Sequence, residues 1–154
     1  MSPTDRRRDV LDSLGRAIVT GEMTPGQSLT LEAIQSRYGV SRTLARDCVH
    51  ALESVGIVAS RRRVGITVQP REHWSALAPQ LVRWQLEADP HGPTLGALTE
   101  LRAAIEPVAA AAAARRATEE QRSGLLALAA TIRAKGTTGN VASYLDDDIA
   151  FHSL

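Results

Sequence analysis

Arg42, Arg46 and His50 recur at intervals of four, a spacing that puts all three on one face of a helix. A guanidinium is a rigid fork of donors that matches a carboxylate, a phosphate or the O6/N7 edge of guanine. The guanine contact carries ~1–3 kcal/mol of base discrimination. Thr43 lies in the same first turn, and Asp47 is better placed to orient an arginine than to approach a polyanion. Taken alone, such a face reads as solvated helix. Two neighbours change that reading: the turn Gly39-Val40-Ser41 just before it, and the basic run Arg61-Arg62-Arg63 with Gly65 after it.

A second pair, Asp148 and His152, is also spaced by four. Oxygen and imidazole together suit zinc, nickel, iron or manganese. Asp-x-x-x-His is nevertheless common on helices, and by itself it reads as a surface pair. His73 and His91 lie in or beside a connecting stretch, and no His or Cys follows His152 to complete a shell. With no nucleophile–base pairing and no cofactor loop, the expectation is that the chain is not an enzyme and has no catalytic residues. The single Cys48 excludes an internal disulfide and a multi-cysteine zinc site. It falls on the apolar side of its helix, where it reads as a small buried hydrophobe.

The elements that must position these residues are legible in outline. Val10, Leu11, Leu14, Ala17 and Ile18 predict a first helix over Arg8–Thr20, and Leu31, Ile34 and Tyr38 a second over Leu31–Tyr38. Gly39 can close that helix in a left-handed conformation, Val40 can plug the core and Ser41 can cap the next. The third helix, Arg42–Val55, turns Leu44 or Ala45, Cys48, Leu52 and Val55 inward. Residues 57–60 and 66–69 read as two strands flanking the basic tip. Three helices and a two-stranded hairpin in that order make a winged helix-turn-helix.

After it, a helix near Trp74–Ala88 leads to Asp89-Pro90-His91-Gly92-Pro93, the expected joint between domains. The rest reads as helical: Leu95–Ala117, with Leu98, Leu101, Ile105 and Val108 inward and a bend at Pro107, then a helix capped by Thr118-Glu-Glu-Gln, then one from Val141 onward. The fold class is therefore mainly α. Residues 1–70 form the winged helix, 71–93 a linker with its own helix, and 94–154 part of an all-helical bundle.

Composition agrees. Of 154 residues 44% are hydrophobic, enough for a packed core, while 3% are aromatic, which argues against base stacking as a binding mode. The net charge of +1 conceals an asymmetry. Residues 1–70 hold ten arginines against seven acidic residues, whereas 71–154 hold eight basic and ten acidic ones. Arg6, Arg7 and Arg8 are candidates for a basic arm. No apolar run approaches membrane-spanning length and no signal core follows the charged start, so the expected compartment is the cytoplasm, with no membrane partner.

These residues also resemble a known family. The stretch from Ile18 to Leu29, then Tyr38-Gly-Val-Ser-Arg-Thr-Leu-Ala-Arg-Asp and Leu52-Glu-Ser-Val-Gly-Ile-Val with the basic wing, is similar to the DNA-binding domain of GntR-type bacterial transcription regulators. The resemblance implies operator contacts by Arg42 and Arg46 and minor-groove entry by the wing tip. It departs from the family pattern at Val64, where a polar or basic residue is usual, and at Leu44, where Pro is frequent. The second half, through Leu98-Thr-Glu-Leu-Arg-Ala-Ala-Ile-Glu-Pro and Asp148-Ile-Ala-Phe-His152, resembles the effector (FCD) domain of the FadR-like branch.

That second resemblance implies a divalent metal on Asp148 and His152, completed by later histidines, and an effector carboxylate paired with Arg102. It also implies further helices beyond Leu154. An incomplete metal site, an open effector pocket and exposed apolar surface are the resulting expectations. The whole implies a homodimeric regulator, a repressor, that binds double-stranded operator DNA and answers to a small effector. The alternative is a helical dimerisation or protein-interaction module without specific DNA binding.

Overall fold

An apolar stripe at helical spacing sets the inner face of α1 (Pro3–Val19), and its members Val10, Leu11, Leu14, Ala17 and Ile18 are all buried. The computed structural model describes residues 3–61, 65–136 and 141–154. In it α1 starts five residues before the expected Arg8. Proline is tolerated in a first turn, Asp5 complements the positive end of the helix dipole, and nothing between them breaks the helix. Arg6, Arg7 and Arg8 are consequently helical and not a free arm. Arg6 donates from Nη2 to the Gly39 carbonyl at 3.2 Å.

Two caps define the next pair of helices. Thr30 Oγ1 accepts from the Ala33 N–H at 3.0 Å and starts α2 (Leu31–Tyr38). Gly39 ends it at φ 60°, a left-handed geometry that a side chain would strain, with its N–H on the Gln35 carbonyl at 2.8 Å. Val40 packs against the core, and Ser41 Oγ accepts from Leu44 N–H at 3.2 Å to open α3 (Arg42–Ser54). The buried face of α3 is Ala45, Cys48, Val49 and Leu52. Cys48 lies in the core, where burial pushes its thiol above the ordinary value.

The sheet is antiparallel and three-stranded, in the order β1-β3-β2. Its strands are β1 (Ser28–Leu29), β2 (Val58–Arg61) and β3 (Gly65–Val68), in register at Ser28↔Thr67, Val58↔Val68 and Arg61↔Gly65. The hairpin β2–β3 is the expected wing. The addition is β1, whose two residues are too few to show a period of two. Val58, Ile66 and Val68 turn into the same core as the helices.

After the wing the chain passes Gly56 closely. That glycine has φ 78°, and a Cβ on it would overlap the His73 carbonyl oxygen. A short 3-10 turn (Arg71–His73) leads to α4 (Pro79–Ala88), which begins with proline in its first turn. The helix expected near Trp74–Ala88 begins only at Pro79, and its Leu81 and Trp84 belong to the core cluster that includes Leu14 and Leu52.

The chain divides into two compact units, Met1–Leu98 and Thr99–Leu154, with the boundary inside α5 (Pro93–Arg116). The second unit continues with α6 (Glu119–Gly136) and α7 (Val141–Ser153). The expected capping box is present: Thr118 Oγ1 accepts from Gln121 N–H at 3.2 Å, and Gln121 Oε1 accepts from Thr118 N–H at 3.0 Å. Two inward assignments are corrected. Ile105 is 53% and Val108 68% exposed, whereas Leu98 and Leu101 are half-buried. An alanine-rich helix has apolar residues all round, so its sequence does not single out a buried face. Helix α5 continues through Pro107.

Candidate nucleic-acid interface

Position on α3 follows from its caps. With Ser41 fixing the start, Ala45, Cys48, Val49 and Leu52 turn inward, and Arg42, Thr43, Arg46 and His50 are left exposed. Asp47 is exposed beside them. Arg46 and His50 line a groove of about 360 Å³ between α3 and the wing. Arg61 and Gly65 close it from the hairpin, Thr30 from the start of α2, and Val49 and Ile66 contribute to its apolar floor. Gly65 sits opposite Arg61 with φ 91°, where the strand leaves the wing tip. Arg62 and Arg63, also expected here, lie outside the described residues, as does Val64.

Arg42 is engaged. Its Nη1 pairs with Glu32 Oε1 of α2 at 2.7 Å, across the turn of the helix-turn-helix. Glu32 is held below its ordinary carboxylate value, first by a backbone hydrogen bond within its own residue and then by that from Arg42. Ten residues separate the partners, beyond any local spacing rule, so the pair left no signal in the sequence.

His50 is engaged differently. Its Nδ1 lies 3.1 Å from Glu53 Oε2, one turn on. Glu53 Oε1 accepts the Ser60 N–H of β2 at 2.7 Å. Burial acts to raise the Glu53 pKa, but the hydrogen bonds from Ser60 and then His50 outweigh it and leave the carboxyl below its usual range. Glu53 was not among the residues singled out above, although the i,i+3 spacing from His50 is visible.

Electrostatically the face offers arginine forks, an imidazole and a threonine hydroxyl over an apolar floor, with Asp47, Glu32 and Glu53 as acids beside them. Such a set is suited to a polyanion carrying hydrogen-bonding edges.

The second unit brings Arg102, Asp148 and His152 together. Arg102 Nη2 lies 3.6 Å from Asp148 Oδ1 and 3.3 Å from His152 Nε2, and its Nε donates to Glu106 at 2.5 Å. His152 Nε2 and Asp148 Oδ1 are 3.7 Å apart. Among the described residues, no group of three or more His, Cys, Asp and Glu side chains is placed to hold a metal ion. A guanidinium within reach of both donors opposes a dication there, so these residues as placed do not fit a divalent metal. No helix among the described residues is long and apolar enough to cross a membrane.

Comparison with known proteins adds the following. The family model described as bacterial regulatory proteins, gntR family, matches residues 6–68, and the FCD domain model matches residues 97–154. The chain is 30% identical over 142 residues to the uncharacterized HTH-type transcriptional regulator YieP of Escherichia coli (strain K12), a match covering 92% of this chain and 62% of that protein. It is 33% identical over 119 residues to the galactonate operon transcriptional repressor of the same organism, covering 77% of this chain and 51% of that one. Among solved structures, S. agalactiae BusR in complex with its busAB-promotor DNA aligns with a TM-score of 0.44 at 16% identity, over 70% of this chain and 48% of that one. The chain thus spans between 51% and 62% of the length of these two curated relatives.

Proposed function

The chain belongs to the GntR family of bacterial regulatory proteins, with an FCD domain after the winged helix, and on that premise we propose that it is a sequence-specific DNA-binding transcription regulator of the repressor type. The observation that carries this is the face of α3: Arg42, Thr43, Arg46 and His50 exposed in line, with Arg61 of the wing on the same groove as Arg46 and His50. Helix α3 enters the major groove, its first residues meet base edges, and the wing reaches backbone or minor groove. Two copies on a two-fold axis read half-sites about one helical turn apart. The curated relatives carry regulator or repressor in their names, which supports the same class and no enzymatic one.

The FCD half supplies the response to a small molecule. A carboxylate effector would exchange with Glu106 or Asp148 for the Arg102 guanidinium, the cationic centre that those acids now flank. The metal reading rests on Asp148 and His152. With Arg102 beside them, zinc, nickel, iron or manganese would need further donors and a displaced guanidinium.

The test is selection of duplexes from a random pool by the purified chain, followed by Arg42→Ala and Arg46→Ala. The expected result is recovery of a two-fold-related motif and loss of its binding in both variants with the fold intact. Recovery of no motif, or unchanged binding by the variants, contradicts the assignment and leaves the interaction-module alternative.

A further inference from the structure

Strand β2 is an edge strand. Among the described residues the sheet order β1-β3-β2 leaves its outer side without a strand, so an amide on that side needs another acceptor. Ser60, paired opposite Ile66, finds one in Glu53 Oε1 at 2.7 Å. The acceptor comes from the last turn of α3, where a carboxylate faces the negative end of the helix dipole and is electrostatically disfavoured. Two contacts offset that penalty, and the Ser60 amide is the first of them. The other carboxylate oxygen, Oε2, holds His50 Nδ1 at 3.1 Å.

We infer that Glu53 is a positioning residue: it fastens the wing strand to the end of α3 through the Ser60 amide and fixes the ring of His50. The inference rests on the DNA-binding reading above and deepens it, because it says what holds the two DNA-facing elements in one geometry. Arg61 is the residue next to Ser60 on β2, and His50 and Arg61 line the same groove as Arg46. A shift of β2 along its edge would carry Arg61 out of step with Arg46. The carboxylate also selects the His50 tautomer with its proton on Nδ1, so that Nε2 is the nitrogen offered to a ligand. Glu53 itself touches no DNA in this account.

The 154-residue chain carries the test, with a fluorescent duplex of about 30 base pairs that the wild type selects from a random pool, long enough for two half-sites. Glu53→Ala is expected to weaken binding of that duplex about tenfold or more, as loss of a charge-assisted hydrogen bond would. Its Ser60 amide should exchange faster with solvent. Glu53→Gln keeps an acceptor for Ser60 but turns an amide donor toward His50, so it should keep the Ser60 amide protected and lose less affinity than Glu53→Ala. Ser60→Pro removes the donor without touching α3, at an edge position that accepts proline, and should reproduce the loss even where Glu53→Ala folds poorly. Arg61→Ala should cost much less affinity in the Glu53→Ala background than in the wild type, because the displaced wing no longer presents it.

Wild-type affinity in Glu53→Ala or in Ser60→Pro overturns the inference, as does strict additivity of the Glu53 and Arg61 substitutions. A wild type that selects no duplex overturns the DNA-binding reading itself, and this inference with it. Selection by the wild type with equal binding by Glu53→Ala overturns only the role of Glu53.

Discussion

The Asp12 carboxylate of α1 accepts the indole N–H of Trp84 in α4 at 2.9 Å, with both residues buried in the core of the first unit. The same oxygen is bonded by Arg83, and Arg16 of α1 pairs with Glu87 of α4 at 2.9 Å. Helix α4 is therefore fixed to α1 by polar contacts as well as by Leu81 and Trp84. Asp12→Ala leaves a buried indole N–H without an acceptor and should cost about 2 kcal/mol in urea unfolding. Asp12→Asn keeps an acceptor and should cost less.

The pH dependence of that contact has a definite sign. Burial pushes the Asp12 carboxyl up, but bonds from Trp84 and Arg83 and the charges of Arg83 and Arg16 outweigh it, so its folded value lies below the ordinary 3.8. A depressed carboxyl contributes stability that is complete above the ordinary value and is lost as pH falls through the folded one. Unfolding measured from neutral pH down to about pH 3 should show an acid limb that is shallower in Asp12→Asn. Identical limbs would contradict the contact.

Gly15 faces the Trp84 ring so closely that an added Cβ would sit 2.5 Å from its atoms. Gly15→Ala should cost about 1–3 kcal/mol by overpacking and push α4 off α1. In a Trp74→Phe background, Trp84 emission would then shift to the red; an unshifted, equally stable variant would contradict the packing.

On the proposed DNA-binding reading, Glu32 would compete with DNA for Arg42. Their 2.7 Å pair occupies Nη1 of the guanidinium and neutralises its charge. Glu32→Gln should therefore tighten binding of the selected duplex a few-fold at low salt, with the gain shrinking as salt rises. Weaker binding would mean that the pair orients Arg42 instead of restraining it.

Cys48 is fully buried and its thiol is pushed up by burial. A thiol reagent should label it only as fast as the domain opens, and Asp12→Ala should accelerate that labelling. Immediate modification of the native chain would contradict the burial.

Much of the first unit was legible in the sequence because its signals are local. The stripe from Val10 to Ile18 marks α1, and Gly39 and Ser41 perform in the structure the left-handed stop and the cap that their residue types suggest. What stayed hidden depends on distance along the chain. Arg42 meets Glu32 ten residues away, and Asp12 meets Trp84 across 72. No periodicity encodes either contact. β1 escaped notice because two residues carry no alternation, and Ile105 and Val108 were misassigned because α5 is apolar on every side. In the candidate site the exposed set of α3 followed from spacing alone, whereas the role of Glu53 required seeing that Ser60 comes back to it.

The central claim is that the α3 face and the wing read duplex DNA. It is tested most directly by the affinity of the full chain for a selected duplex and for a scrambled one, across a salt series. The account predicts preference for the selected duplex, with both affinities falling steeply and linearly on a logarithmic salt axis as phosphate-bound ions are released. It also predicts that Arg46→Ala abolishes the preference. Equal binding of the two duplexes, or a preference untouched by Arg46→Ala, would contradict it.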